Sequence, residues 1–313
     1  MKYLKFKNGD IMPALGLGTW KSSTGEVFKA VKTAIKIGYR HIDCAPVYGN
    51  EKEIGMAIAE CISEGLITRE ELWVTSKLWN SSHRKEQVVP AIEKTLADLQ
   101  VSYLDIYLVH WPIALKENVG FPAKGGDFYP INEIPLTETW QGMETVFNKK
   151  LARHIGVSNF GPVNLQHILD NAKVTPEMNQ VECHPYLQQQ QLFDYCTSHS
   201  IFLTAYSPLG SFDPKRITDS PAILKDPLIG KLAEKRGVSP AQILISWALQ
   251  RGISAIPKST NANRIAENFE ANTIELTDDK MHQIEDLDKD FRYVDGKFWT
   301  VNKSPYTLEE IWR

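Results

Sequence analysis

Arg40-His41-Ile42-Asp43-Cys44-Ala45-Pro46-Val47-Tyr48-Gly49-Asn50-Glu51 reads as a short strand running into a loop, and the loop opens onto a helix over 51–64. The same couplet recurs along the chain. Upstream, Ala14-Leu15-Gly16-Leu17-Gly18 precedes a helix over 26–37, with Val27, Ala30, Val31, Ala34 and Ile35 on one face and Gly38 as its stop. Downstream, Leu72-Trp73-Val74-Thr75-Ser76-Lys77 precedes a helix over 84–99 striped by Val89, Ile92, Leu96 and Leu99. Further strands at 104–109, 154–157, 177–181, 201–206 and 253–257 precede helices at 136–148, 163–171, 189–199, 239–250 and 262–270.

Short apolar strands separated by helices imply a parallel sheet. Eight such units in one α/β chain predict a closed (β/α)8 TIM barrel rather than an open doubly wound sheet. The open sheet ordinarily binds nucleotide through a Gly-x-Gly-x-x-Gly turn, and Gly16-Leu17-Gly18 lacks the third glycine. Asn8-Gly9 between apolar residues predicts an N-terminal β-hairpin over 6–11. The segments 113–135 and 209–226 and the tail beyond Asn272 lie outside the repeat. The tail is expected to supply an extra helix and a loop. One barrel domain over 1–313 suits this length.

Composition narrows the function. A net charge of -3 gives no support to nucleic acid or an anionic membrane as a partner. No stretch approaches a membrane span, and the N-terminus has no cleavage pattern. Cys44, Cys61, Cys183 and Cys196 fall in no paired spacing, which fits free thiols in a reduced, cytoplasmic protein.

The strand ends carry the chemistry. They are Thr19-Trp20, Asp43, Lys77, His110-Trp111, Ser158-Asn159, Gln180, Tyr206-Ser207 and Lys258-Ser259. A barrel needs no polar ring for packing, and active sites sit at the C-terminal face of the strands. Each residue alone has a bland reading: a solvated lysine, a satisfied core histidine, a capping aspartate. Together they suggest Tyr48 as a general acid. A phenol has a pKa of about 10, so a fixed cation is needed beside it. Lys77 is expected to lower that pKa, with Asp43 holding Lys77 charged and His110 donating to a carbonyl oxygen. Acid catalysis alone is not a whole reaction, so a cofactor is implied. A metal hydrolase is the poorer alternative, because His41, Asp43 and His110 match no zinc spacing and no metal is expected.

These residues resemble the aldo-keto reductase superfamily. The likeness runs through Asp43-Cys44-Ala45-Pro46-Val47-Tyr48-Gly49-Asn50-Glu51, Lys77-Leu78-Trp79-Asn80, His110-Trp111-Pro112, Gly156-Val157-Ser158-Asn159, Asn179-Gln180-Val181-Glu182-Cys183-His184-Pro185, Tyr206-Ser207-Pro208-Leu209-Gly210-Ser211 and Ile256-Pro257-Lys258-Ser259. The chain looks most like the aldose, aldehyde and xylose reductases. The resemblance implies a catalytic tetrad of Asp43, Tyr48, Lys77 and His110, and NADPH bound across the barrel mouth, with NADH as a secondary possibility. It places Thr19, Trp20 and Asp43 beside the cofactor, and Ser158, Asn159 and Gln180 on its carboxamide. Tyr206 would stack on the nicotinamide. Ser207, Leu209 and Ser211 would hold the pyrophosphate, with 209–226 as a belt. Lys258, Ser259, Asn261 and Arg264 would take the 2′-phosphate, and Glu267 and Asn268 the adenine. Trp20, Tyr48, Trp79, His110, Trp111, Phe121 and Trp299 would line the substrate slot. The implied activity is reduction of an aldehyde, including an open-chain aldose, by a monomer or weak dimer. The alternative is an NADPH-binding regulatory protein on the same fold without turnover.

Overall fold

The computed structural model describes residues 1–211 and 221–313. The hairpin pairs β1 (Tyr3–Lys5) with β2 (Ile11–Pro13), and Phe6 N–H donates to the Asp10 carbonyl at 2.8 Å across the Asn8-Gly9 turn. Eight parallel strands follow, in consecutive order: β3 (Leu17–Gly18), β4 (His41–Asp43), β5 (Trp73–Leu78), β6 (Leu104–Val109), β7 (Ala152–Ser158), β8 (Met178–Glu182), β9 (Phe202–Tyr206) and β10 (Ser254–Ala255). The ring closes between its first and last members. Leu15 and Gly18 bridge Ala255 and Lys258 in parallel, with Gly16 N–H to the Ala255 carbonyl at 2.9 Å and Gly18 N–H to the Pro257 carbonyl at 3.1 Å. A side chain at Gly18 would put its Cβ 2.6 Å from the Ile256 carbonyl oxygen, so glycine is required for this close approach. The predicted (β/α)8 barrel is therefore present. Its first and last strands are shorter than expected because closure uses isolated bridges.

Helices α1 (Glu26–Ile37), α2 (Glu51–Ser63), α3 (Lys85–Leu99), α4 (Leu136–Asn148), α5 (Pro162–Leu169) and α6 (Gln190–Ser198) follow successive strands. After β9 the chain forms α7 (Pro227–Arg236) and then α8 (Pro240–Gln250). Helix α7 lies outside the eight predicted strand–helix units. Its signals are present: the Asp226 carboxylate accepts Leu228 N–H at 2.8 Å, Pro227 opens the first turn, and Gly237 ends it at φ 67°. Helix α9 (Ala262–Glu270) follows β10, and the tail adds α10 (Asp278–Glu285) and α11 (Leu308–Trp312). The expected extra helix is α10. The middle of the expected belt, 212–220, lies outside the described residues.

The hairpin plugs the bottom of the barrel. Phe6 packs 5.3 Å from the Trp73 ring and 4.1 Å from that of His154. His154 bridges two carboxylates, Glu177 through Nδ1 at 2.7 Å and Asp10 through Nε2 at 2.9 Å. No helix among the described residues is long and apolar enough to cross a membrane. All four cysteines are free and buried.

Candidate active site

The mouth of the barrel opens into a cavity of about 880 Å³. Strand ends and the loops beyond them line it. Thr19, Trp20, Asp43, Tyr48, His110, Ser158, Asn159, Gln180, Tyr206, Ser207, Leu209, Ser211, Lys258 and Arg264 all face it. With Trp79, just beyond β5, residues from all eight units converge on one space. Lys77, from β5, lies beneath the floor rather than on it and is fully buried.

A buried ammonium is costly unless its donors are taken up. Lys77 Nζ donates to Asp43 Oδ1 at 2.6 Å, to the Cys44 carbonyl at 2.8 Å and to Tyr48 Oη at 3.3 Å. Gln180 Nε2 donates to the other Asp43 oxygen at 2.6 Å. The Pro46–Tyr48 turn of 3-10 helix carries the phenol over the ammonium, and Gly49, at φ 71°, releases the chain into α2.

The electrostatics differ from the simple sequence expectation. Burial dominates at Tyr48 and pushes its phenol up to about 12, while Lys77 pulls it the other way. Burial pulls Lys77 down, but Asp43 and Tyr48 outweigh it and its ammonium rises to about 12. The ion pair thus keeps Lys77 charged, and the phenol stays protonated at neutral pH. The lysine offsets part of the burial penalty on the phenolate rather than making Tyr48 a strong acid at rest.

His110 is buried, and its imidazole is driven well below its ordinary range, first by burial and then by Lys77 and His83. It is neutral at pH 7. Nδ1 has no partner among the described residues. Its ring stands edge-on to Tyr48 at 5.9 Å and to Trp79 at 5.1 Å. His41 points away, to the Pro13 carbonyl at 3.2 Å and Thr75 Oγ1 at 3.0 Å. Among the described residues, no three His, Cys, Asp or Glu side chains are grouped to hold a metal.

Beside this floor, polar groups brace one another. Tyr206 Oη donates to Asn159 Oδ1 at 2.7 Å, Asn159 Nδ2 donates to the His110 carbonyl at 3.0 Å, and Ser158 Oγ donates to the Gln180 carbonyl at 2.7 Å. Asn159 takes φ 65°, which asparagine tolerates better than most residues. At the far end, Lys258 and Arg264 are exposed, and neither has an ion pair among the described residues. Ser259, Asn261, Glu267 and Asn268 do not line the cavity. Asn261 caps α9 by accepting Arg264 N–H at 3.1 Å, and Ser259 Oγ accepts Asn261 N–H at 3.2 Å.

The opposite wall is aromatic. Trp20, Trp79, Trp111 and Phe121 line it, whereas Trp299 has 0% exposure and packs behind, 5.8 Å from the Trp79 ring and 5.5 Å from that of Trp111. Phe298 lines the cavity in its place. The 3-10 turn Lys297–Trp299 orients the two rings oppositely, and a short turn in a tail has no periodicity from which to read its phase. Tyr293, Val294 and Asp295 also line the cavity and were not predicted to. Segment 113–135 supports the wall, with Trp79 Nε1 donating to the carbonyls of Val119 and Gly120 at 3.2 and 3.1 Å. The chain end is tied down as well: Trp312 Nε1 donates to the Asp295 carbonyl at 3.2 Å, and its ring lies 5.4 Å from that of Trp111.

A closed eight-stranded barrel with a paired lysine beneath a tyrosine at its mouth defines a class, and the sequence comparison agrees. The profile of the Aldo/keto reductase family matches residues 14–289, and the chain belongs to that family. It is accordingly an oxidoreductase of the NAD(P)H-dependent kind. An aldo/keto reductase of Synechocystis sp. is 50% identical over the whole of this chain and 96% of its own length. Human aldo-keto reductase family 1 member A1 is 47% identical, over 92% of each chain. Among solved structures, the aldose reductase of Schistosoma japonicum superposes with a TM-score of 0.88 at 37% identity, over 96% of each chain. An aldo-keto reductase of Bombyx mori in complex with NADP does so with a TM-score of 0.88 at 38% identity, over 97% of this chain and 98% of that one.

Proposed function

We propose that this chain reduces aldehydes, open-chain aldoses among them, to alcohols with NADPH, and that Tyr48 gives the proton. One observation carries the proposal: Lys77 Nζ lies 3.3 Å from Tyr48 Oη and 2.6 Å from Asp43 Oδ1 at the floor of the cavity. The donor set suits the dinucleotide. Lys258 and Arg264, without an ion pair among the described residues, Ser158, Asn159 and Gln180 beside the floor, and the ring of Tyr206 all line the one cavity. Lys258 and Arg264 would hold the 2′-phosphate, with Ser259 and Asn261 shaping the turn between them. Ser207, Leu209 and Ser211 would hold the pyrophosphate, and Glu267 and Asn268 the adenine. NADPH, when bound, supplies a hydride.

The protein supplies the rest. Tyr48 Oη holds the proton that the carbonyl oxygen takes. As the phenolate forms, the ammonium of Lys77 stabilises it, and Asp43 keeps that ammonium charged. Gln180 fixes Asp43. His110, being neutral, donates one N–H to the carbonyl oxygen and sets its direction. Trp20, Trp79, Trp111, Phe121 and Phe298 exclude water and hold the carbon skeleton. A cytoplasmic setting belongs to the same proposal, supported by the four free thiols.

The test is loss of absorbance at 340 nm with NADPH and glyceraldehyde or xylose, run beside NADH. Binding of NADPH without turnover of any aldehyde would replace this reading with that of a regulatory nucleotide binder.

A further inference from the structure

Glu182 ends β8, two residues beyond Gln180 and therefore on the same face of the strand, nearer the mouth. Its side chain has no exposure. A buried carboxylate requires donors, and three converge on it: His184 Nε2 at 2.8 Å and Tyr293 N–H at 2.7 Å on Oε1, and Val294 N–H at 2.8 Å on Oε2. Two consecutive backbone amides of the tail are thus clamped by one side chain of the barrel. Both residues line the cavity, as do Asp295 and Phe298 just beyond them.

Tyr293 extends the clamp in a second direction. Its ring stands edge-on to His184 at 5.0 Å and lies against Gly210, where a Cβ would sit 3.0 Å from it. Its hydroxyl donates to the Pro221 carbonyl. Gly210 and Pro221 both belong to the segment 209–226 expected to cross the cofactor. The carboxylate at the end of β8 therefore fixes the start of the substrate wall and, through one tyrosine, two described points of that segment.

We infer that Glu182 is a positioning residue that couples the substrate wall to the cofactor cleft. It touches neither reacting atom. The inference rests on the reductase reading for what the two regions bind, but the clamp itself does not. Glutamine in its place keeps the shape and one acceptor but turns an amide N–H towards one of the tail amides. Loss of a charge-assisted bond of this kind is worth about tenfold or more.

The experiment compares the full-length wild type with Glu182→Gln and Tyr293→Phe. In Glu182→Gln, hydrogen exchange at the amides of Tyr293 and Val294 is expected to rise about tenfold. KM for a bulky aromatic aldehyde is expected to rise about tenfold relative to KM for propanal, and the Kd for NADPH, read by protein fluorescence, about fivefold, with kcat at saturation changing less than about twofold. Tyr293→Phe removes the hydroxyl and with it the bond to Pro221, so it is expected to weaken NADPH while leaving exchange at Val294 slow. A uniform fall in kcat for both aldehydes, together with a lower melting temperature, would reduce Glu182 to a structural residue. Unchanged NADPH affinity in Glu182→Gln would overturn the coupling outright. If the wild type binds NADPH but reduces neither aldehyde, the functional reading fails, and exchange with NADPH affinity decides the clamp.

Discussion

At the bottom of the barrel, Asp105 accepts from Arg69 Nη2 and Val74 N–H at 2.8 Å and from Arg153 Nη1 at 3.2 Å, and Arg153 reaches on to Asp10 at 2.6 Å. At the mouth, Lys77 is just as buried and just as tightly paired, yet one of its partners is a phenol open to a cavity. Both ends bury charge. The bottom network turns inward, its carboxylates taken up by Arg69, Arg153, His154 and a backbone amide and tied to the hairpin through Asp10. The mouth keeps capacity in reserve: a phenolic proton, an imidazole and cations that have no ion pair among the described residues, all facing one cavity. A buried ion pair marks chemistry when one of its members also faces space that a ligand could fill.

The largest effect that could break this contrast is at Tyr48. Tyr48→Phe removes one oxygen and leaves the ring packed at a tilt against Trp20, 4.8 Å away. Aldehyde reduction should fall about 10³-fold, while NADPH affinity and melting temperature hold. A drop in stability with little loss of rate would place the phenol among the structural groups instead. The matching change below is Asp105→Asn, which leaves two guanidinium groups short of their carboxylate. Denaturant unfolding should lose about 3–5 kcal/mol, with kcat untouched by any step at the mouth.

Glu51 sharpens the contrast from between the layers. It opens α2, is buried, and accepts Ser76 Oγ at 2.6 Å and Thr95 Oγ1 at 3.2 Å. Burial pushes its carboxyl up to about 7, against both hydrogen bonds. The folded pKa lies above the unfolded value of about 4.5. The unfolded chain therefore loses this proton first as pH rises. Stability from this group is complete below about pH 4.5 and is lost as pH climbs through 7. The swing is on the order of 3 kcal/mol. Glu51→Gln should flatten the pH dependence of unfolding across that window, and an unchanged slope would assign it to other groups.

How far the sequence alone reached follows the same division. The eight units were readable because each strand is a short apolar run and each helix carries a stripe, and periodicity is local. The floor of the site was readable because its residues sit at strand ends, whose position the barrel dictates. Helix α7 is bracketed by Asp226-Pro227 and Gly237, but it follows directly on the irregular segment 209–226 and stands outside the strand–helix repeat that makes the other helices legible. Trp299 was assigned to the wall and Phe298 was not, since only the packing of the tail decides which ring turns inward. The strength of burial at Tyr48 was also beyond the letters. A phenol and an ammonium in sequence suggest a lowered pKa, whereas the enclosure that overrides it is a property of the assembled barrel.

The smallest effect concerns the far end of the cavity. NADPH and NADH differ by one phosphate, so any preference must come from groups that meet it. Lys258 and Arg264 are the cations there, on the approach to α9 and in its first turn, where the helix N-terminus also favours an anion. Both are exposed, so solvent screens them, and their joint worth is modest. Replacing both with methionine should weaken NADPH roughly 30-fold and leave NADH within about threefold. Added salt should erode the wild-type preference and leave that of the variant flat, because an exposed charge contact is what salt screens. Equal weakening of both dinucleotides would mean that the cations meet a part the two share, such as the pyrophosphate. The mouth would then hold its reserve of charge for the common scaffold of the cofactor rather than for its distinguishing group.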